Sequence, residues 1–282
     1  MTNSVKLFFQ RFTIRFPKFL SLLFVLLFSL FLFTSCDAII NLMAFHPDTQ
    51  DVLSAERIPS NVEEIFLETE DNLKIQSYYL RYKTSDRLLI YFHGNAGNIG
   101  QRVYDLMRIR SFGINVLGLS YRGYGKSDGK PSETGLYIDG KTAIEYSIQK
   151  LGFPINNIYI MGRSIGSTVA VHSAQNLNYA GLILVSPLTS GKAQAKTTNL
   201  SSVAFLAGDA FNNIAKIKNI KCPVLIIHGS KDTIIPFSMG EEIYDAITTT
   251  KKLVKIEGAG HNDLSTEYYE LYWAPIKSFL QH

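Results

Sequence analysis

The chain has 282 residues, of which 46% are hydrophobic and 18% charged, with a formal net charge of +4. Residues 1–36 carry Lys6, Arg11, Arg15 and Lys18 and no acidic residue, so the remainder is near neutral and offers no basic stripe for nucleic acid. Of the two cysteines, Cys36 and Cys222, the first lies in this segment and the second stands alone, which excludes an internal disulfide once Cys36 is modified.

From the N-terminus, a basic stretch precedes Phe19 to Phe33, a run unbroken by charge, and then Thr34-Ser35-Cys36. A basic region, a short apolar run and small residues describe a secretory signal. The small pair before a cysteine resembles a bacterial lipoprotein signal, in which cleavage precedes Cys36 and that cysteine is lipidated. Asp37 beside it resembles a retention signal for the inner membrane. The expected location is therefore the exported side of a bacterial inner membrane. The alternative is an uncleaved anchor, a single span extended through Ala38-Ile39-Ile40, because a spanning helix wants about 20 apolar residues. We divide the chain into residues 1–35 as signal peptide or membrane anchor, 36–60 as linker and 61–282 as the catalytic domain.

Val62 to Thr69 and Leu73 to Tyr82 are predicted to pair antiparallel around Asp71-Asn72. Short apolar runs then alternate with helical stretches: Leu88–Phe92, a helix near Gly100–Phe112, Asn115–Leu119, a helix near Glu133–Leu151, Asn157–Met161, a helix near Ser167–Asn176, and Gly181–Val185. Apolar runs without alternation indicate strands covered on both faces, and βα repetition indicates a mostly parallel, doubly wound α/β sheet. The pattern breaks over about 187–220, where a small lid insertion is predicted, with Leu188, Phe205, Leu206 and Phe211 expected near an apolar acyl pocket. Strand-like Pro223–Ile227 and Lys252–Ile256 follow. Cys222 opens the first of them as a small core residue.

Three of these strands end on residues that can do chemistry. Gly162-Arg163-Ser164-Ile165-Gly166 is a G-x-S-x-G turn between strand and helix, which presents a serine hydroxyl on a strained backbone. Asp232 follows the next-to-last strand and His261 the last. A serine hydroxyl needs a base to take its proton, and a carboxylate holds the imidazole in the right tautomer. Ser164 is expected as nucleophile, His261 as base then acid, and Asp232 as orienting carboxylate. Asp263 is a rival carboxylate, but it lies only two residues from the histidine. The chain order Ser, Asp, His is that of the α/β-hydrolase fold. In that architecture two backbone N–H groups form an oxyanion hole, and here they are expected from Ile165 and from Asn95, with Ala96 as rival to Asn95. His93 is expected to be a structural residue under that loop.

Six motifs together, His93 to Asn98, Tyr121-Arg122-Gly123-Tyr124-Gly125, Gly129 to Glu133, Gly162 to Gly166, Ser186-Pro187-Leu188 and Gly258 to Asp263, resemble the α/β-hydrolase branch that includes the eukaryotic protein depalmitoylases. The resemblance covers about residues 60–280. It implies a serine hydrolase cleaving an acyl ester or thioester, including substrates presented at a membrane, with no cofactor; no metal is expected either, because Asp and His are not clustered at metal-ligand spacing and no H-E-x-x-H occurs. The relatives' cysteine-rich, acylated N-terminus is replaced here by one apolar segment. An aminopeptidase or amidase on the same triad, and a non-catalytic lipoprotein that keeps the fold as a binding module, are the competing readings. The oligomeric state is open.

Overall fold

A computed structural model describes residue 41, residues 44–50 and residues 58–281. The apolar segment Phe19–Phe33 and Cys36 lie outside the described residues, among which no helix is long and apolar enough to cross a membrane. Asn41–His282 forms one compact unit.

Ten strands occur along the described chain: β1 (His46–Pro47), β2 (Glu63–Glu68), β3 (Lys74–Leu80), β4 (Leu88–Phe92), β5 (Ala96–Gly97), β6 (Asn115–Leu119), β7 (Ile158–Arg163), β8 (Gly181–Val185), β9 (Val224–Gly229) and β10 (Lys251–Ile256). Eight of them form one sheet in the order β10-β9-β8-β7-β4-β6-β3-β2, and β1 pairs only with β5. The β2–β3 and β3–β6 pairings are antiparallel, and the other pairings of this sheet are parallel. The predicted turn between β2 and β3 holds Asn72 at φ 61°, a left-handed position that asparagine tolerates.

Every residue of β4, β6, β8 and β9 is buried, because helices cover both faces of the sheet. The helices are α1 (Val103–Arg110), α2 (Glu133–Gln149), α3 (Gly166–Ala174), α4 (Gly191–Lys196), α5 (Asn213–Lys216), α6 (Phe237–Ala246) and α7 (Tyr269–Leu280). On one face, Leu106 and Ile109 of α1 and Trp273 and Ile276 of α7 pack with Leu89, Met161, Ile183 and Leu225 from the sheet. The opposite face is covered by α2 and α3, which pack so closely that a Cβ at Gly140 would come within 2.6 Å of Val169. Cys222 is buried, and burial pushes its thiol up to about 11, as suits a core residue.

The order of connection positions the site. From β4 the chain moves to β6 on one side and then crosses back to β7 on the other. The direction of connection thus reverses at β4 and β7, and in open α/β sheets ligands bind outside the carboxyl ends of the strands at such a point. The loop His93–Asn98 leaves β4 at that point, and the turn at Ser164 leaves β7.

Candidate active site

Ser164 lies between β7 and α3 at φ 54°, and its N–H donates to the Val185 carbonyl at the end of β8. A left-handed non-glycine residue is strained, and here the surroundings enforce it. A Cβ at Gly162 would lie 2.4 Å from the Gly166 carbonyl oxygen, and one at Gly166 would lie 2.3 Å from the Phe92 carbonyl and 2.5 Å from that of His93. Those obstacles are backbone, so they cannot swing aside. Gly166→Ala is expected to cost about 1–3 kcal/mol or more by overpacking, and to lower Tm by about 2–12 °C. Gly94→Ala meets Ser164 Cβ at an ordinary 3.5 Å and should melt close to wild type. Thermal melts of the two variants side by side check this.

Asp232 sits in the turn after β9 with its side chain fully buried. Its Oδ1 accepts the Ile234 N–H at 2.9 Å and the Ile235 N–H at 2.8 Å. Its Oδ2 accepts from His261 Nδ1 at 2.7 Å and lies 3.4 Å from His228 Nε2. Burial opposes the charged carboxylate, but hydrogen bonds from His228, His261 and the backbone outweigh it and hold Asp232 well below the usual carboxylate range. His228 is a residue that sequence reasoning missed. Its Nε2–H also donates to the Ile235 carbonyl at 2.9 Å, so the ring packs under the Asp232 turn.

His261 is carried by the loop after β10. Asp263 does not meet its ring: both carboxylate oxygens accept the Gly260 N–H, at 2.9 and 3.1 Å, and shape the loop. A Cβ at Gly229 would lie 2.5 Å from the Ala259 carbonyl, so this loop crosses close over the end of β9. Arg163, the residue before the elbow serine, donates from Nη2 to the His261 carbonyl at 2.8 Å. The histidine loop is thereby tied to the serine turn, although no hydrogen bond joins the Ser164 hydroxyl to the imidazole. Catalytic hydrogen bonds of this kind often tighten only with substrate bound.

The loop after β4 lies against the elbow. His93 is fully buried, and burial lowers its pKa to about 3, so it stays neutral. Its Nδ1–H donates to the Gly94 carbonyl at 2.6 Å, and its ring packs 4.5 Å from that of Tyr121. Asn95 is partly exposed, and its side-chain Oδ1 accepts from the His46 N–H at 2.8 Å and from the Tyr124 hydroxyl at 3.2 Å. Among the described residues, neither the Asn95 N–H nor the Ile165 N–H has a protein acceptor. Ala96 is held in the β1–β5 bridge opposite His46.

The Tyr121 to Gly125 segment supports this loop from beneath. Tyr121 donates its hydroxyl to the His93 carbonyl at 3.0 Å. Arg122, buried, binds Asp139 of α2 through Nε at 2.9 Å and Nη2 at 2.8 Å and reaches Asp71 through Nη1 at 2.9 Å. These contacts fasten the segment to α2 and to the β2–β3 turn.

Residues 187–220 hold α4, a 3₁₀ turn over Ser201–Ala207, and α5. Of the four side chains expected near an acyl pocket, Leu188 and Phe211 are buried, whereas Phe205 is 66% and Leu206 37% exposed. Residues 45–50, expected within a linker, instead lie against the loop after β4.

The mostly parallel sheet, the strained serine at the end of β7 and the Asp–His pair at the ends of β9 and β10 together define an α/β hydrolase. The family described as serine aminopeptidase, S33, matches residues 83–216. The chain is 36% identical over 223 residues to mouse alpha/beta hydrolase domain-containing protein 17C, covering 78% of this chain and 68% of that protein. It is 38% identical over 193 residues to alpha/beta hydrolase domain-containing protein aho-3 of Caenorhabditis elegans, covering 68% of this chain and 57% of that one. An esterase from Pyrococcus furiosus superposes with a TM-score of 0.68 at 20% identity, over 84% of this chain and 96% of its own. The chain therefore belongs to the α/β-hydrolase superfamily and is a hydrolase.

Proposed function

We propose that the protein is a membrane-anchored serine hydrolase that cleaves carboxylic ester or thioester bonds through an acyl-enzyme on Ser164, His261 and Asp232. The observation that carries the reading is the 2.7 Å bond from His261 Nδ1 to the buried Asp232 carboxylate, on a loop tied to the strained Ser164 turn. With Nδ1 donating, Nε2 is left as the lone-pair nitrogen that a general base requires.

Ser164 Oγ attacks the acyl carbon while His261 Nε2 takes its proton. The carbonyl oxygen becomes an anion, received by the N–H groups of Ile165 and Asn95. Each such donor is typically worth about 3–4 kcal/mol in the transition state. Collapse expels the alcohol or thiol, protonated by His261, and leaves the acyl group on Ser164. Water, deprotonated by the same nitrogen, releases the acid.

One observation favours a second reading, a serine aminopeptidase or amidase: the description of the family that matches residues 83–216. A series of p-nitrophenyl esters of rising chain length, run beside aminoacyl anilides, separates the two. Ester turnover is expected; turnover of anilides alone would reject the ester reading. The anchor is the N-terminal segment, with Cys36 as its lipidated residue, on the exported side of a bacterial inner membrane. Cys36→Ala is expected to move the protein from the membrane to the soluble fraction. Retention of that variant in carbonate-washed membranes would instead support a spanning helix.

A further inference from the structure

We infer that the strap Phe45–Gln50 is a positioning element of the catalytic site, holding the loop after β4 so that the Asn95 N–H stays directed at the reacting oxygen. This rests on the oxyanion role proposed above for Asn95.

The strap is fixed to that loop and its neighbours at several independent points. His46 and Pro47 run parallel to Ala96 and Gly97 as a bridge. The His46 N–H donates to Asn95 Oδ1 at 2.8 Å, the oxygen that also accepts the Tyr124 hydroxyl. From the loop, Asn98 Nδ2 donates to the Asp48 carbonyl at 3.1 Å and to the Gln50 carbonyl at 2.8 Å. The Gly125 N–H donates to the same Asp48 carbonyl at 2.9 Å, which joins the strap to the turn after β6. Phe45 is 4% exposed and packs edge-on against Phe211 at 5.9 Å, which seats the start of the strap on the root of the lid segment.

The loop needs such a brace. It carries glycine at 94 and 97, the latter at φ 81°, so its backbone is intrinsically free. An oxyanion donor is useful only if it is already in place, and a misplacement of about 1 Å costs on the order of 100-fold in rate. The Asn95 side chain, gripped by two donors, fixes the place of its Cα, and the Gly94 carbonyl, in the same peptide as the Asn95 N–H, is held by His93 Nδ1. The strap begins nine residues after Cys36, so the piece of chain that leads from the proposed anchor into the catalytic unit is also the one that orders this loop.

The test uses the full chain and a short, soluble p-nitrophenyl ester, so that membrane partition plays no part. His46→Pro removes the N–H that binds Asn95. Phe45→Ala, the milder change, leaves every backbone bond of the strap in place, and Phe45→Met refills most of the volume. In the first two variants kcat is expected to fall about 10- to 100-fold with KM within about threefold, and a boronic acid that forms a tetrahedral adduct should bind correspondingly more weakly. Phe45→Met should recover most of kcat. Lowered melting temperatures with kcat and boronate affinity unchanged would show that the strap only stabilises the fold and would overturn the inference. Failure of the underlying triad reading looks different: wild type itself would lack Ser164-dependent turnover, and the inference would fall with it.

Discussion

Ser164→Ala is expected to lower kcat for a p-nitrophenyl ester by about 10⁶-fold while leaving the melting temperature within about 2 °C of wild type. Alanine keeps the Cβ, and Ser164 Oγ makes no hydrogen bond among the described residues, so the fold loses nothing at this position. The strain at φ 54° is common to both side chains. What disappears is the proposed nucleophile. The free N–H groups of Ile165 and Asn95 and the His261 imidazole would remain, able to assist direct attack by water. For this reason a residual rate of about 10³–10⁴ over the uncatalysed reaction should persist. Steady-state rates on purified protein, with a melt on the same sample, separate loss of chemistry from loss of structure.

Asp232→Asn is expected to lower kcat by about 10⁴-fold, and the geometry gives the reason. Oδ1 already accepts two backbone N–H groups, from Ile234 and Ile235, so an asparagine would keep its carbonyl oxygen there. Its NH₂ would then face His261 Nδ1, which would have to become the acceptor. The ring proton would move to Nε2, and Nε2 could no longer take the serine proton. The wild-type carboxylate also has a pH signature. Its folded pKa lies below the unfolded value of about 3.9, so its stabilising contribution is complete above that value and is lost as pH falls through the folded pKa. Urea melts of wild type and Asp232→Asn should therefore differ at about pH 5 and above and converge only in strong acid. A difference that closes near neutrality would mean that Asp232 is not the ionised group described here.

The sheet was legible from the chain because its central strands are short apolar runs with nothing to contradict them. Leu88–Phe92, Asn115–Leu119 and Gly181–Val185 occur as read. The elbow was legible because its glycines answer a local demand: both face backbone atoms at less than 2.6 Å from an added Cβ. The Asp232–His261 contact joins residues 29 apart, and the alternation of strands and turns sufficed to bring them to one edge. Other features gave no signal. Helices α6 and α7 were not foreseen. The first starts directly after Pro236, and the second holds Pro275 in its interior, where proline ordinarily breaks a helix. The strap was invisible because a two-residue bridge has no periodicity and its bonds are mostly backbone. His228, like the Asn95 side chain, serves the site through partners that only the fold supplies. The apolar residues of 187–220 divide between core and surface by tertiary contacts that their order along the chain does not record.

The most direct measurement is the mapping of a fluorophosphonate adduct on the wild-type chain by peptide mass spectrometry. A single phosphonylated residue is predicted, Ser164, formed at a rate that Asp232→Asn sharply reduces. A protein that takes up no probe, or one modified at another residue with Ser164 intact, would contradict the account.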